Sequence, residues 1–396
     1  MNNLNTAPSF SGSIQPVGDL RVSVLVPTFN RANYIAECLD SLLSQTMPAL
    51  EIIVIDDGSE DGTAELLKSY GNRIRYIRKD NGGKPTAVNL GLSLAQGDLI
   101  WIFDDDDVAL PGAIAQHVQA LQTRPDAGFV YSPHFYGHDG ANGKIVRGKL
   151  HQLPPHNAES FFYDLMKGCF YHLATALVRA EAYRTVGDFD TGLLSSEDYD
   201  MQLRLANAFP AAYCPEPSFI FRQHTGLRGA KSIRYQGAER TNVFRQFDQR
   251  IGLKLRKNLP LGHYLMPKQQ DATTPAVHRQ ALLARLSVMA SKGCLPEMME
   301  DLQNLLALSP ETAALETHEL QTIAKAICTG YAAAAIEHDW KDFKRLLATL
   351  PRTPAAHSAV RSMALGLFML ARGYPGTIAV RWRRFRQAAA VALCSI

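Results

Sequence analysis

The stretch Leu99 to Gly112, LIWIFDDDDVALPG, runs five apolar residues into four consecutive aspartates and stops at Pro-Gly. A short continuous apolar run of this kind is a strand buried on both faces. Four adjacent carboxylates repel one another, so something must neutralise them at the end of that strand. The surrounding sequence repeats the theme. VSVLVP (Val22 to Pro27) and EIIVIDD (Glu51 to Asp57) are further buried strands, and RIRYIRK (Arg73 to Lys79) is a further strand candidate. Between them Ile35, Leu39 and Leu42, then Ala87, Leu90 and Leu94, recur at helical spacing. Alternating strands and helices specify a mostly parallel sheet covered on both faces. In such sheets ligands collect beyond the carboxyl ends of the strands. Asp104 to Asp107 lie there, and so do Asp56-Asp57-Gly58-Ser59, so two acidic clusters share one rim. Pro111 is placed to open a helix carrying Ile114, Val118 and Leu121.

A 396-residue chain has room for two domains. From about Gln270 the texture becomes rich in Ala and Leu. Ala281 to Leu308 and Leu320 to Leu350 are each read as a helical hairpin, broken near Lys292-Gly293 and near His338-Asp339. Six scattered cysteines without metal-ligand spacing point to neither a disulfide framework nor a zinc site. The N-terminus lacks a signal-peptide pattern and no segment offers the ~18 apolar residues of a spanning helix, so a cytoplasmic protein is expected. The net charge of +3 is uneven. After Asp342 there is no acidic residue but nine basic ones, while the preceding part carries 32 basic against 38 acidic residues. The acidic balance of this larger part disfavours nucleic acid as a partner. At helical spacing Ile378, Trp382, Phe385, Ala389, Leu393 and Ile396 share one face, with Arg383, Arg384 and Arg386 away from it. Two readings stand for residues 377–396: an interfacial helix on an anionic membrane surface, at the inner face of the membrane, or a terminal helix docked on the helical domain.

Carboxylates at a strand end are hard oxygen ligands for Mg²⁺ or Mn²⁺, which typically bind through one or two carboxylates plus substrate phosphates; an exposed acidic loop is the ordinary alternative. VPTFNR (Val26 to Arg31) ends the first strand with polar groups able to touch a base or ribose. NGGKPTAVNLG (Asn81 to Gly91) offers glycines for close approach and Lys84 for a phosphate, without Walker spacing. No G-x-G-x-x-G follows the first strand, which disfavours a dinucleotide fold. In FDTGLLSSEDYDMQLRLA (Phe189 to Ala206), Glu197 and Asp198 open a helix capped by Ser195 or Ser196, where acids also simply offset the macrodipole. His224 in FRQHTG is a lone histidine.

Together these segments resemble family 2 of the inverting glycosyltransferases, which have the GT-A fold. The resemblance covers roughly Val22 to Gly226, with five motifs in the family's order. It implies a nucleotide turn at Pro27, Thr28, Asn30 and Arg31, a base contact by Asp57 supported by Asp56, and a diphosphate contact by Lys84. FDDDDVALP corresponds to the family's Asp-x-Asp metal motif, carried by Asp104, Asp106 and Asp107. Asp104 and Asp106 then belong to the nucleotide site, Asp106 or Asp107 to the metal with His224, and Asp105 fills the variable position. Asp198 is the implied catalytic base with Glu197 as its neighbour, and the cofactor is Mn²⁺ or Mg²⁺. The expected organisation is a leader over residues 1–20, disordered; an α/β GT-A domain over 21–235, its mostly parallel sheet flanked by helices; a basic connecting segment over 236–275; and an all-α domain over 276–396 ending in the amphipathic basic tail. The expected reaction transfers a sugar from a nucleotide-diphosphate donor, a UDP-sugar by family habit, to the hydroxyl of a glycan or lipid-linked acceptor in envelope or extracellular glycan synthesis. A sugar nucleotidyltransferase would carry a Gly-rich basic loop after the first strand, which Val26 to Asn30 lacks. A non-catalytic nucleotide-sugar-binding scaffold is the other alternative.

Overall fold

The computed structural model describes residues 20–141, 143–153, 158–224, 239–268, 274–309, 312–373, 384 and 386–391; all but the last residue of the expected leader lies outside them. Two compact units form, one from Met1–Ala158 with Cys169–Val243, the other from Glu159–Gly168 with Phe244–Ile396.

In the first unit a strand, β1 (Val22–Thr28), is buried along its whole length, as a central parallel strand must be. Helix α1 (Ile35–Leu43) buries Ile35, Cys38, Leu39 and Leu42, the stripe its periodicity predicts. There follow β2 (Glu51–Asp56), α2 (Thr63–Lys68), β3 (Arg75–Arg78), α3 (Lys84–Leu94), β4 (Leu99–Ile102), β5 (Val108–Ala109), α4 (Ala113–Thr123), β6 (Phe129–Tyr131), β7 (His134–Asp139) and β8 (Ile145–His151). Helix α5 (Phe161–Lys167) belongs to the second unit. The first unit then resumes with β9 (Leu177–Arg179), α6 (Ala180–Val186), α7 (Glu197–Ala208), β10 (Ala211–Tyr213) and β11 (Phe219–Gln223).

The main sheet has the order β10-β6-β9-β4-β1-β2-β3, parallel except for β9, which runs against β4 and β6. A second sheet, β5-β11-β7-β8, stands beside it. Helix α3 lies close on the main sheet because Gly91 has no side chain: a Cβ there would sit 2.9 Å from Ile55 Cδ1 and 3.2 Å from Leu25 Cδ1. The strand expected over Arg73 to Lys79 is confined to Arg75–Arg78, because Gly71–Arg73 forms a 3₁₀ turn before it. Pro111 precedes α4 instead of opening it; its carbonyl accepts the Thr46 amide at 2.8 Å, and Gly112 takes the cap position.

The second unit is helical: α8 (Glu239–Asn258), α9 (Pro275–Ser291), α10 (Leu295–Ala307), α11 (Thr317–Cys328), α12 (Ala332–His338), α13 (Trp340–Ala348) and α14 (Pro354–Gly373). Half of the connecting segment expected over 236–275 is thus helix α8, whose residues from Phe244 onward belong to this unit. The break near Lys292-Gly293 is present, with Gly293 at φ +73°. The second hairpin breaks earlier as well, at Gly330, where a Cβ would lie 2.3 Å from the Ser291 carbonyl oxygen. Fully buried Asp301 holds the unit together by accepting from Arg256 at 2.7 Å and Arg285 at 2.6 Å.

Of the basic tail, Arg384 and residues 386–391 are described. Arg384, Gln387, Ala388 and Val391 form the buried face, and Arg384 pairs with Glu337 of α12 at 3.2 Å. Arg384 is therefore not on a solvent-facing basic stripe, and Ala389, expected on the apolar face, is exposed. This favours the docked reading of the tail; the remainder lies outside the described residues. Among the described residues no helix is long and apolar enough to cross a membrane.

Candidate active site

The carboxyl ends of β1, β2 and β4, the end of β11 and the first turn of α7 supply the candidate residues. At the end of β1, Asn30 adopts φ +55°, a conformation Asn tolerates better than most residues. Its amide donates to Ser59 Oγ at 2.9 Å and its side-chain oxygen accepts the Glu60 amide at 2.8 Å, so the turns after β1 and β2 are stitched together. Thr28 and Pro27 pair with Asp56 and Ile55 in the parallel ladder.

Asp56 and Asp57 are buried, and their carboxylates are committed within the fold. Asp56 accepts from the Ser59 amide at 2.8 Å and from the Tyr76 hydroxyl at 2.8 Å. Asp57 accepts from Lys79 Nζ at 2.5 Å, Gly82 N at 2.9 Å, Gly83 N at 2.7 Å and Asn81 Nδ2 at 3.0 Å. The carboxylate expected to read a base braces the Gly82-Gly83 turn that opens α3, where Gly83 sits at φ +88°. Lys79, Asn81 and Tyr76 are the partners that sequence reasoning missed.

The four aspartates each meet a different partner. Asp104 Oδ1 accepts from Lys84 Nζ at 2.8 Å. Asp105 lies 3.4 Å from Arg31 Nε; burial pushes its carboxyl up to about 7, against the opposing pull of Arg31. It is thus a buried partner of Arg31 and more than the filler of a variable position. Asp106 Oδ2 meets His224 Nε2 at 2.9 Å, with Arg31 Nε 4.0 Å away. Asp107 is fully buried and accepts the Arg222 amide at 2.8 Å, so this carboxylate, expected as an alternative metal ligand, ties the acidic turn to β11.

Arg222 is the other residue the sequence reading passed over. It is 1% exposed; its Nε donates to the Asp106 carbonyl at 2.7 Å and its remaining nitrogens reach Glu37 and Asp139. Its guanidinium lies 4.9 Å from the Tyr34 ring centroid, and that ring lies 5.1 Å from His224. The only signal available was its place two residues before His224 at the end of a short strand.

Among the described residues no group of three or more metal-ligating side chains converges. The adjacent oxygen of Asp106 and nitrogen of His224 fit an ion that takes its other ligands from a diphosphate and water, the usual habit of Mg²⁺ and compatible with the mixed preferences of Mn²⁺.

Opposite Asp104 stands the first turn of α7, entered through Ser196 in the left-handed region at φ +60°. Strained residues of this kind gather at functional sites. Asp198 Oδ2 accepts from Lys84 Nζ at 3.0 Å; Oδ1 is buried and without a partner. Burial raises the Asp198 carboxyl above the usual range, with Lys84 opposing. Burial, together with the charge of Asp198, pushes Glu197 up to about 7. The structure therefore brings Lys84, Asp104, Glu197 and Asp198 into one cluster, and Arg31, Asp105, Asp106 and His224 into another along the same acidic turn.

The model of the glycosyl transferase family 2 matches residues 23–187. An uncharacterized glycosyltransferase of Rickettsia conorii is 30% identical over 215 residues, 54% of this chain and 35% of that protein. The chondroitin synthase of Pasteurella multocida is 31% identical over 188 residues, 47% of this chain and 19% of that protein. The chain spans about a third of the length of the first of these relatives. Among solved structures, S. aureus TarS 1-349 in complex with UDP-GlcNAc superposes with a TM-score of 0.51 at 18% identity, covering 83% of this chain and 90% of that one, a likeness of fold. The strand order, the acidic rim and the family match point the same way: within the sheet-bearing unit residues 23–187 match the glycosyl transferase family 2 model, and the fold is of GT-A type.

Proposed function

We propose that this protein transfers a sugar from a nucleotide-diphosphate donor, a UDP-sugar, to an acceptor hydroxyl with inversion at the anomeric carbon, in the assembly of an envelope or extracellular glycan. The observation that carries this reading is Asp198: one oxygen is anchored by Lys84, the other is without a partner, and the carboxyl is raised toward the range useful for a general base. Asp198 takes the proton of the acceptor hydroxyl as it attacks, and Glu197 supports it. The single displacement requires no covalent intermediate, and so no second nucleophile. Pro27, Thr28, Asn30 and Arg31 line the nucleotide, on a turn that Asp56 and Asp57 hold from behind. Asp106 and His224 would hold the divalent ion, with Asp104 and Lys84 beside the diphosphate. Such an ion supplies Lewis-acid charge for the departing diphosphate. The solved complex of TarS with UDP-GlcNAc, on a similar fold, supports a UDP-sugar as donor.

Transfer or hydrolysis of a UDP-sugar panel, followed by released UDP, tests the assignment. Asp198→Asn is expected to lower turnover by roughly 10²-fold or more while nucleotide binding is retained. Unchanged turnover would remove Asp198 from the mechanism, and failure of both proteins to turn over any donor would favour the scaffold alternative.

A further inference from the structure

The same ammonium group serves both halves of the site. Lys84 Nζ donates to Asp104 Oδ1 at 2.8 Å and to Asp198 Oδ2 at 3.0 Å. These carboxylates come from the turn after β4 and from the first turn of α7, 94 positions apart along the chain. Lys84 is the first residue of α3, on a turn fixed by Asp57, so its backbone is held while its long side chain spans the gap. Burial disfavours its charge, but Asp104, Asp198 and Glu197 outweigh that and keep it protonated. A nucleoside diphosphate carries more negative charge than either carboxylate and competes for the same ammonium.

We propose that Lys84 is a donor-sensing latch: without donor it clamps Asp198 to Asp104, and an arriving diphosphate draws it off Asp198 and releases that carboxylate for the acceptor. This rests on the donor-site reading above. Lys84 is then a positioning residue for the base, acting through Asp198, and the donor precedes the acceptor. The latch makes a demand that a simple phosphate-binding lysine does not. Because Asp198 and the diphosphate compete for one group, removing the Asp198 charge must tighten nucleotide binding, and must do so through Lys84.

The test is a double-mutant cycle on UDP and GDP affinity, measured by calorimetry with Mn²⁺ on the full chain. Asp198→Asn is expected to tighten binding roughly five-fold or more, the lower end of ordinary coupling between sites. In the Lys84→Met background the same substitution is expected to change affinity less than two-fold, and Lys84→Arg, which keeps the charge, is expected to restore part of the tightening. Equal tightening with and without Lys84 would reduce the effect to bulk repulsion and overturn the latch. So would no tightening in the wild-type background. If wild type binds neither nucleotide, the donor-site reading itself fails and the latch falls with it.

Discussion

Substituting Asp57 separates a residue that reads the base from one that builds the turn beneath it. Asp57→Ala removes the acceptor for the buried Gly83 amide and the partly buried Gly82 amide, takes one of two partners from the Asn81 side-chain amide, which keeps the Asp57 carbonyl, and takes one of three from Lys79, which keeps the Asp80 carbonyl and Thr86 Oγ1. An orphaned buried donor costs about 1–3 kcal/mol, and donors that can turn to water cost less. We take about 2 kcal/mol for Gly83 and about 1 kcal/mol for Gly82 and Asn81 together, hence about 3 kcal/mol of destabilisation. For a domain of this size that is a fall of roughly 6–12 °C in melting temperature. Asp57→Asn keeps one acceptor oxygen but sets an amide against donors, so it is expected to fall between wild type and Asp57→Ala. Thermal unfolding followed by near-UV dichroism, with UDP titrations on the folded proteins, reads both properties. Melting within about 1 °C of wild type, combined with a tenfold or greater loss of nucleotide affinity, would refute the bracing role and return Asp57 to direct contact.

His134 is fully buried among His151, His172 and Phe219, with neither ring nitrogen hydrogen-bonded, and burial holds it down to about 3, reinforced by the neighbouring histidines. Its folded value lies below the unfolded 6.5, so the unfolded chain binds the extra proton and stability falls as pH drops below about 6.5. His134→Phe is expected to flatten the melting temperature between pH 6.5 and about 4.5 relative to wild type; parallel profiles would contradict it. Asp301→Leu leaves Arg256 and Arg285 without their shared buried carboxylate, and is expected to destabilise the helical unit by about 3–5 kcal/mol, seen as lost helical dichroism at a lower temperature.

The buried strands were the most legible part of the chain. Val22 to Thr28 and Leu99 to Ile102 are buried throughout and mostly apolar because both faces are covered, and the helices between them show their stripe. The second sheet was hidden: β5 is two residues long, and β7 mixes His134, Tyr136 and His138 without alternation. At the site, residue types were readable and pairings were not. Nothing local to Asp107 says that it is the buried tie to β11, because its partner lies 115 positions away. Arg222 looks like any basic residue until Glu37, Asp139 and the Asp106 carbonyl close around it. The tail misled for a related reason. Its periodicity predicts a face from apolar residues alone, whereas Arg384 is buried by pairing with Glu337.

The central claim is that the acidic turn holds a metal-assisted donor site. Its most direct test is a thermal-shift screen of UDP-, GDP- and TDP-sugars, with and without Mn²⁺, on wild type, Asp106→Ala and His224→Ala. A ligand at a hundred times its dissociation constant adds about 2.7 kcal/mol, a rise of roughly 5–11 °C for a domain of this size. One nucleotide sugar is expected to raise the wild-type melting temperature by that order only with Mn²⁺, and both variants to lose the rise. No shift with any donor, or a full shift that persists in both variants, would contradict the account.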